Sequence, residues 1–84
     1  MVIWKYPLRL EDFQTVDLPV GSKILTVQLQ NEMPYLWALV DPEAPPVPCG
    51  ILILATGEPT SSNPGEYINT LQWRHLVFHV FKKV

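Results

Sequence analysis

At 84 residues, with six Lys/Arg against eight Asp/Glu and a net charge of −2, the chain has room for one domain (residues 1–84). It lacks the basic excess with which duplex-binding modules neutralise phosphates. The single cysteine excludes an intramolecular disulfide, and no run approaches the ~20 apolar residues needed to cross a bilayer. Because so small a domain buries only on the order of 60% of its unfolded surface, the aromatic residues are expected to carry much of the core, with Trp4, Trp37 and Trp73 meeting in the interior.

Val2 to Leu8 reads as a first strand, with Val2, Trp4, Tyr6 and Leu8 on one face, Lys5 on the other and Pro7 at a strand end or edge. Arg9 to Phe13 is a charged connection in which Glu11 and Asp12 could start one helical turn. Gln14 to Leu18 is a second short strand, and Leu18-Pro19-Val20-Gly21 fits a turn with Pro second and Gly fourth. Over Lys23 to Gln30, Leu25, Val27 and Leu29 alternate with Thr26, Gln28 and Gln30, the pattern of a half-buried strand. The four residues Asn31 to Pro34 then form a hairpin connection to Tyr35–Asp41. That strand is apolar on both faces and therefore central.

Asp41 to Pro48 holds four prolines in eight residues, which predicts a stiff surface excursion, neither helix nor central strand. Ile51 to Ala55 is the next strand, and Thr56 to Glu66 is the longest polar loop, rich in Ser, Asn, Pro and Gly. Tyr67 to Trp73 and Leu76 to Lys82 complete the set, separated at Arg74-His75 by a tight turn or joined as one bent strand. The expected fold is all-β, predominantly antiparallel, with six or seven short strands in a small sheet, sandwich or partly open barrel.

None of the chemical groupings rises to a catalytic or metal site. His75 and His79 would share a strand face about 13 Å apart, too far for one ion, so hydrogen-bonded structural roles are expected and no metal or other cofactor. Cys49 has no base nearby in sequence and reads as a small, half-buried thiol. Ser61-Ser62 lacks a nucleophile turn, and Thr56-Gly57 lacks a following helix to make a phosphate cradle. Glu58 and Glu66 flank the long loop and could meet at its base. Lys82 and Lys83 could form a local cationic patch with Lys5, although nucleic-acid binding is disfavoured. The protein is expected not to be an enzyme. The long loops and their neighbours supply the candidate binding residues Asp41, Glu43, Glu58, Asn63, Glu66, Arg74 and His75. The start of the chain, Met1 to Pro7, shows no signal-peptide pattern, so a soluble, cytoplasmic protein with no membrane partner is expected.

Five strings then bear on identity: Ile3-Trp4-Lys5-Tyr6-Pro7-Leu8, Lys23-Ile24-Leu25-Thr26-Val27-Gln28, Leu36-Trp37-Ala38-Leu39-Val40-Asp41-Pro42, Thr56-Gly57-Glu58-Pro59 and Leu76-Val77-Phe78-His79-Val80-Phe81. Together they resemble a family of small uncharacterised bacteriophage and prophage proteins. The stretch from Glu43 to Cys49 lies outside the matching pattern. The resemblance implies a phage accessory protein in the host cytoplasm, acting by binding a host or phage protein and inhibiting, for example, an antiviral component such as a CRISPR complex. Two alternatives stand beside it. One is a module that sequesters a nucleotide signal at a subunit interface, with Arg74, His75 and the C-terminal lysines facing its phosphates. The other is a virion or assembly component that forms a homodimer through edge strands.

Overall fold

A computed structural model of the chain describes residues 1–83. It contains seven strands, β1 (Val2–Pro7), β2 (Phe13–Pro19), β3 (Lys23–Gln30), β4 (Met33–Val40), β5 (Pro46–Ala55), β6 (Glu66–Trp73) and β7 (Leu76–Lys82), and no helix among the described residues. All pairings are antiparallel, in a three-stranded sheet ordered β1-β4-β3 and a four-stranded sheet ordered β2-β5-β7-β6. The expected all-β fold is therefore present, as two sheets and not as a closed barrel.

The alternation of the sequence sets which face of each strand is buried. On β4, Leu36, Ala38 and Val40 are fully buried while Tyr35, Trp37 and Leu39 stand half-buried on the opposite face, and β4 is central as expected. From the other sheet, Val16, Leu18, Ile51, Ile53, Leu71 and Val80 join Leu8, Val27 and the inner residues of β4 in one aliphatic cluster. No tryptophan belongs to it, which corrects the expected indole core. Sheets stacked about 10 Å apart leave a layer that interdigitating Val, Leu and Ile fill without strain. The indoles are displaced to its margins: Trp37 to the outer face of β4, Trp73 to the end of β6, and Trp4 to edge strand β1, where it is 44% exposed.

The connections differ from the sequence reading in instructive ways. The β3–β4 hairpin is tighter than expected, two residues long, with Asn31 and Glu32 both at positive φ (52° and 61°), as the twist of a two-residue hairpin demands. The β2–β3 turn is shifted by one residue: Ser22 N donates to Pro19 O at 3.1 Å, placing Gly21, with φ 82°, where a type II turn requires the left-handed region. Arg74-His75 is a tight turn between β6 and β7, with Arg74 at φ 59°. Arg9 to Asp12 forms no helical turn. A bulge between Ile24 and Thr26 interrupts the expected alternation of β3, so Ile24 packs against the core while Leu25 is 42% exposed.

The proline-rich excursion is also shorter than predicted. Only Asp41 to Pro45 lies outside strands, closed by a turn in which Ala44 N donates to Asp41 O (3.0 Å) and Glu43 N to Asp41 Oδ1 (3.0 Å). β5 begins at Pro46 and pairs with β2 through Val47↔Leu18 and Cys49↔Val16, with Pro46 and Pro48 at the alternate positions. Those positions do not donate towards β2, and β7 pairs only from Ile51 onward, so the missing N–H groups face an unpaired margin.

The two sheets are joined along one side by a side chain. A bulge between Tyr67 and Asn69 turns the Asn69 carboxamide towards the edge of β3, where Nδ2 donates to Val27 O (2.7 Å) and Oδ1 accepts from Val27 N (2.8 Å). The amide thus pairs with Val27 as a neighbouring strand would, at a residue whose side chain is fully buried. Truncation would leave both Val27 groups unmet. Asn69→Ala is expected to cost about 2 kcal/mol, lowering Tm by roughly 10 °C for a domain of this size, with Asn69→Asp at least as damaging at neutral pH. A thermal melt of Asn69→Ala within about 2 °C of the parent would show that the amide does not join the sheets.

Candidate functional site

The strand pairings divide the molecule into two ends. At one, the Asp41–Pro45 connection meets the β2–β3 turn, where Val20 N donates to Pro45 O (2.8 Å), and Glu66 faces Lys82 where β6 begins and β7 closes. At the other lie the Asn31-Glu32 and Arg74-His75 turns, linked by an exposed 3.8 Å Arg74–Glu32 ion pair. Glu58 lies at this second end, its Oε1 accepting from Ala55 N (3.0 Å). The predicted binding residues therefore do not converge. Asp41, Glu43 and Glu66 are at the first end, and Glu58, Arg74 and His75 at the second. Asn63 lies in the loop between β5 and β6, where its Oδ1 accepts from Gly65 N (3.3 Å).

Three more specific expectations fail on this geometry. Glu58 and Glu66 do not meet at the base of the long loop, because the four residue steps along β7 from Phe78, opposite Ala55, to Lys82, opposite Glu66, separate them by on the order of 13 Å. Arg74 and His75 lie beyond one end of β7 while Lys82 and Lys83 close the other, so no composite phosphate site forms from them within one chain. Lys5 does not join the C-terminal lysines. It lies on the three-stranded sheet, opposite Trp37, with Nζ 2.6 Å from Gln30 Oε1 and 4.9 Å from the centroid of the Tyr35 ring.

The outer face of the four-stranded sheet carries a chain of hydroxyls and imidazole. His79 Nε2 lies 2.8 Å from Thr56 Oγ1 and its Nδ1 3.1 Å from Thr70 Oγ1, which in turn contacts Tyr67 OH at 2.6 Å. Both ring nitrogens are thereby engaged, and Thr56, from the long loop, is fastened to β7. His79 has the structural role anticipated for it. The loop then passes Leu54 and Phe81, with Thr60 beside them, which accounts for the burial of Leu54 on an outward-facing position. Among the described residues no three His, Cys, Asp or Glu side chains gather as a metal site.

Near Glu58, the connection before β2 brings up a second carboxyl group. A hydrogen bond shared with Glu58, and next the Glu58 charge, raise Asp12 above its ordinary value of 3.8. Across the molecule, burial raises the Cys49 thiol, and the Lys82 charge opposes that shift.

The surface best suited to holding another molecule lies on a sheet face and not among the loops. On the outer face of the three-stranded sheet, Ile3, Leu25 and Trp37, with Thr26 and Gln28, line a shallow depression of about 370 Å³. Tyr35 stands beside Trp37, ring centroids 6.0 Å apart and tilted by 53°. The depression runs to the edge of the sheet at β1, where Met1, Val2, Ile3 and Trp4 are 73%, 41%, 59% and 44% exposed. Large exposed apolar groups in consecutive positions of an edge strand are rare in monomers, because such an edge offers both unpaired backbone groups and an apolar face. The sequence signal was available in Val2-Ile3-Trp4, apolar on both sides of a strand.

The Asp12–Glu58 contact gives a testable dependence on pH. Since the folded state raises the Asp12 pKa, its protonated form is favoured by folding. That contribution is complete below about 3.8 and is lost as pH rises through the raised value. Asp12→Asn should therefore gain stability relative to the parent between acid and neutral pH in paired thermal melts. A difference in Tm that stays constant across that range would remove the Asp12–Glu58 interaction as its cause.

No curated protein and no solved structure matches the chain. One family does, a domain of unknown function designated DUF7352, over residues 1–84, and the chain belongs to that family.

Proposed function

We propose that the protein is a non-enzymatic binding module that engages another protein by adding a strand to β1 and seating apolar side chains on the adjoining face of the β1-β4-β3 sheet. One observation carries this reading: the exposed apolar run Met1–Trp4 on an unpaired edge, continuous with the Ile3–Leu25–Trp37 depression. Strand addition draws affinity from main-chain hydrogen bonds and specificity from alternate side-chain pockets, and β1 offers both. The other edges are less suited. β3 and β6 are joined through Asn69, and β2 presents Asp17 and ends at Pro19.

Taken with the resemblance to bacteriophage proteins, the partner class is a host protein, and inhibition of an antiviral component such as a CRISPR complex is the role proposed for the contact. A second copy of the chain is the alternative partner for the same edge, as an assembly component would require.

Ile3→Lys and Leu25→Lys place charge on exposed positions of this surface, and each should leave folding stability within about 0.5 kcal/mol of the parent. Affinity for a partner identified by crosslinking in infected cells should fall by at least about 2 kcal/mol, roughly 30-fold. Light scattering that shows a dimer abolished by Ile3→Lys would assign the edge to self-association. Partner binding unchanged by both substitutions would overturn the proposed surface.

A further inference from the structure

We infer that the end of the sandwich carrying Lys23, Lys82 and Lys83 binds a small phosphate-bearing ligand, at a site separate from β1. Two adjoining cavities open there, of about 260 and 210 Å³. Ser22, Ile24 and Lys82 line both, Lys23 and Glu66 line the first, and Cys49 and Lys83 the second. Three of the six basic residues of an acidic chain thus line two adjoining cavities, Lys23 and Lys82 the first and Lys82 and Lys83 the second. Among the described residues none of the three is in ion-pair range of a carboxylate.

The lysines are held by the fold. Lys83 N donates to Gly50 O at 2.8 Å, fixing the chain beyond β7 against β5. A Cβ at Gly50 would come 2.9 Å from Lys83 Cβ and 3.0 Å from Phe13 Cε1, and one at Gly65, which lies at φ 119°, would collide with the Lys82 carbonyl oxygen. Two glycines therefore form the walls of a slot through which the Lys82–Lys83 backbone passes. Lys82 is half-buried and lines both cavities, a setting in which a lysine buries its methylene stem and keeps its ammonium at the solvent margin.

The chemistry of this concavity selects the ligand. Two lysines lining each cavity, with no carboxylate in ion-pair range among the described residues, favour a multiply charged anion over a monovalent one. Each cavity is smaller than the roughly 300–1,000 Å³ typical of sites for drug-sized ligands, which suits a phosphate group on a compact body. A nucleic-acid strand is disfavoured, because three cations on a chain of net charge −2 neutralise few phosphates. Glu66 opposes the site. It pairs across the ladder with Lys82 and lines the first cavity, so its charge should weaken anion binding, which supplies a control of opposite sign.

The experiment is calorimetric titration of the folded chain with sodium pyrophosphate, inorganic phosphate and adenosine monophosphate, against sodium chloride at matched ionic strength. Saturable binding is expected for at least one of the phosphates. Lys82→Gln and Lys23→Gln should each weaken it about tenfold, while Glu66→Gln strengthens it, all with unchanged circular dichroism. Pyrophosphate binding without adenosine monophosphate binding would identify an inorganic ligand, and the reverse a nucleotide. Cys49 is a second readout, since a bound ligand should slow its alkylation by iodoacetamide. Heats no larger than those of chloride, affinity indifferent to all three substitutions, or tighter binding of a thymidine oligonucleotide than of any of the three phosphates would each overturn the site.

Discussion

A single carboxamide decides how this fold is closed. Two short sheets can stack face to face and still leave four edges, each a row of unpaired backbone groups. Here the Asn69 side chain pairs with both polar groups of Val27, converting two of those edges into an internal seam. The bulge at Tyr67/Asn69 is what aims it, so a local irregularity in β6 serves the global architecture. Without that seam, the buried side of β3 would end at backbone groups having neither strand nor solvent to meet them, at a net cost comparable to a sizeable share of a small domain's stability.

The same device recurs at the second end of the sandwich. Gln14 is buried, and its amide donates to Arg9 O at 2.6 Å and accepts from Arg9 N at 3.0 Å, tying the connection after β1 over the core. Leu8 N donates to Pro34 O (2.9 Å) nearby, and Leu8 is buried beneath. Neither amide is marked in the sequence, because the reach of a side chain to backbone distant in sequence has no local signature. In both cases a side chain takes the place of a neighbouring strand.

What the sequence shows well is whatever depends on period-two alternation and turn chemistry. Leu36, Ala38 and Val40 against Tyr35, Trp37 and Leu39 identify a central strand, and all seven strands can be placed approximately. What it hides is decided by packing at a distance. The bulge that turns Leu25 outward breaks the alternation without any marker residue. The prolines of β5 look like strand breakers until β2 supplies a partner on the side where no donor is missing. The candidate site suffers more, since residues adjacent in loops are carried to opposite ends by the strands between them. Arg74 and Lys82 are separated by the length of β7, whereas Lys23 and Lys82, far apart in sequence, line one cavity.

The displaced tryptophans connect packing to recognition. An aliphatic layer that already fills the space between the sheets leaves no place for an indole, so the tryptophans lie at its margins, Trp37 and Trp73 half-buried and Trp4 44% exposed. Trp37, beside Tyr35 and under no covering strand, and Trp4, on an unpaired edge, stand where rigid aromatic anchors contribute most to an interface. Lys5, drawn over Tyr35 and bonded to Gln30, is the one charge on that edge, and its position leaves the Val2–Trp4 stretch clear. An edge kept only to avoid aggregation would carry its charge among the apolar residues. On β1 the Val2–Trp4 stretch itself carries none, the distribution expected where apolar contact with a partner is to be kept.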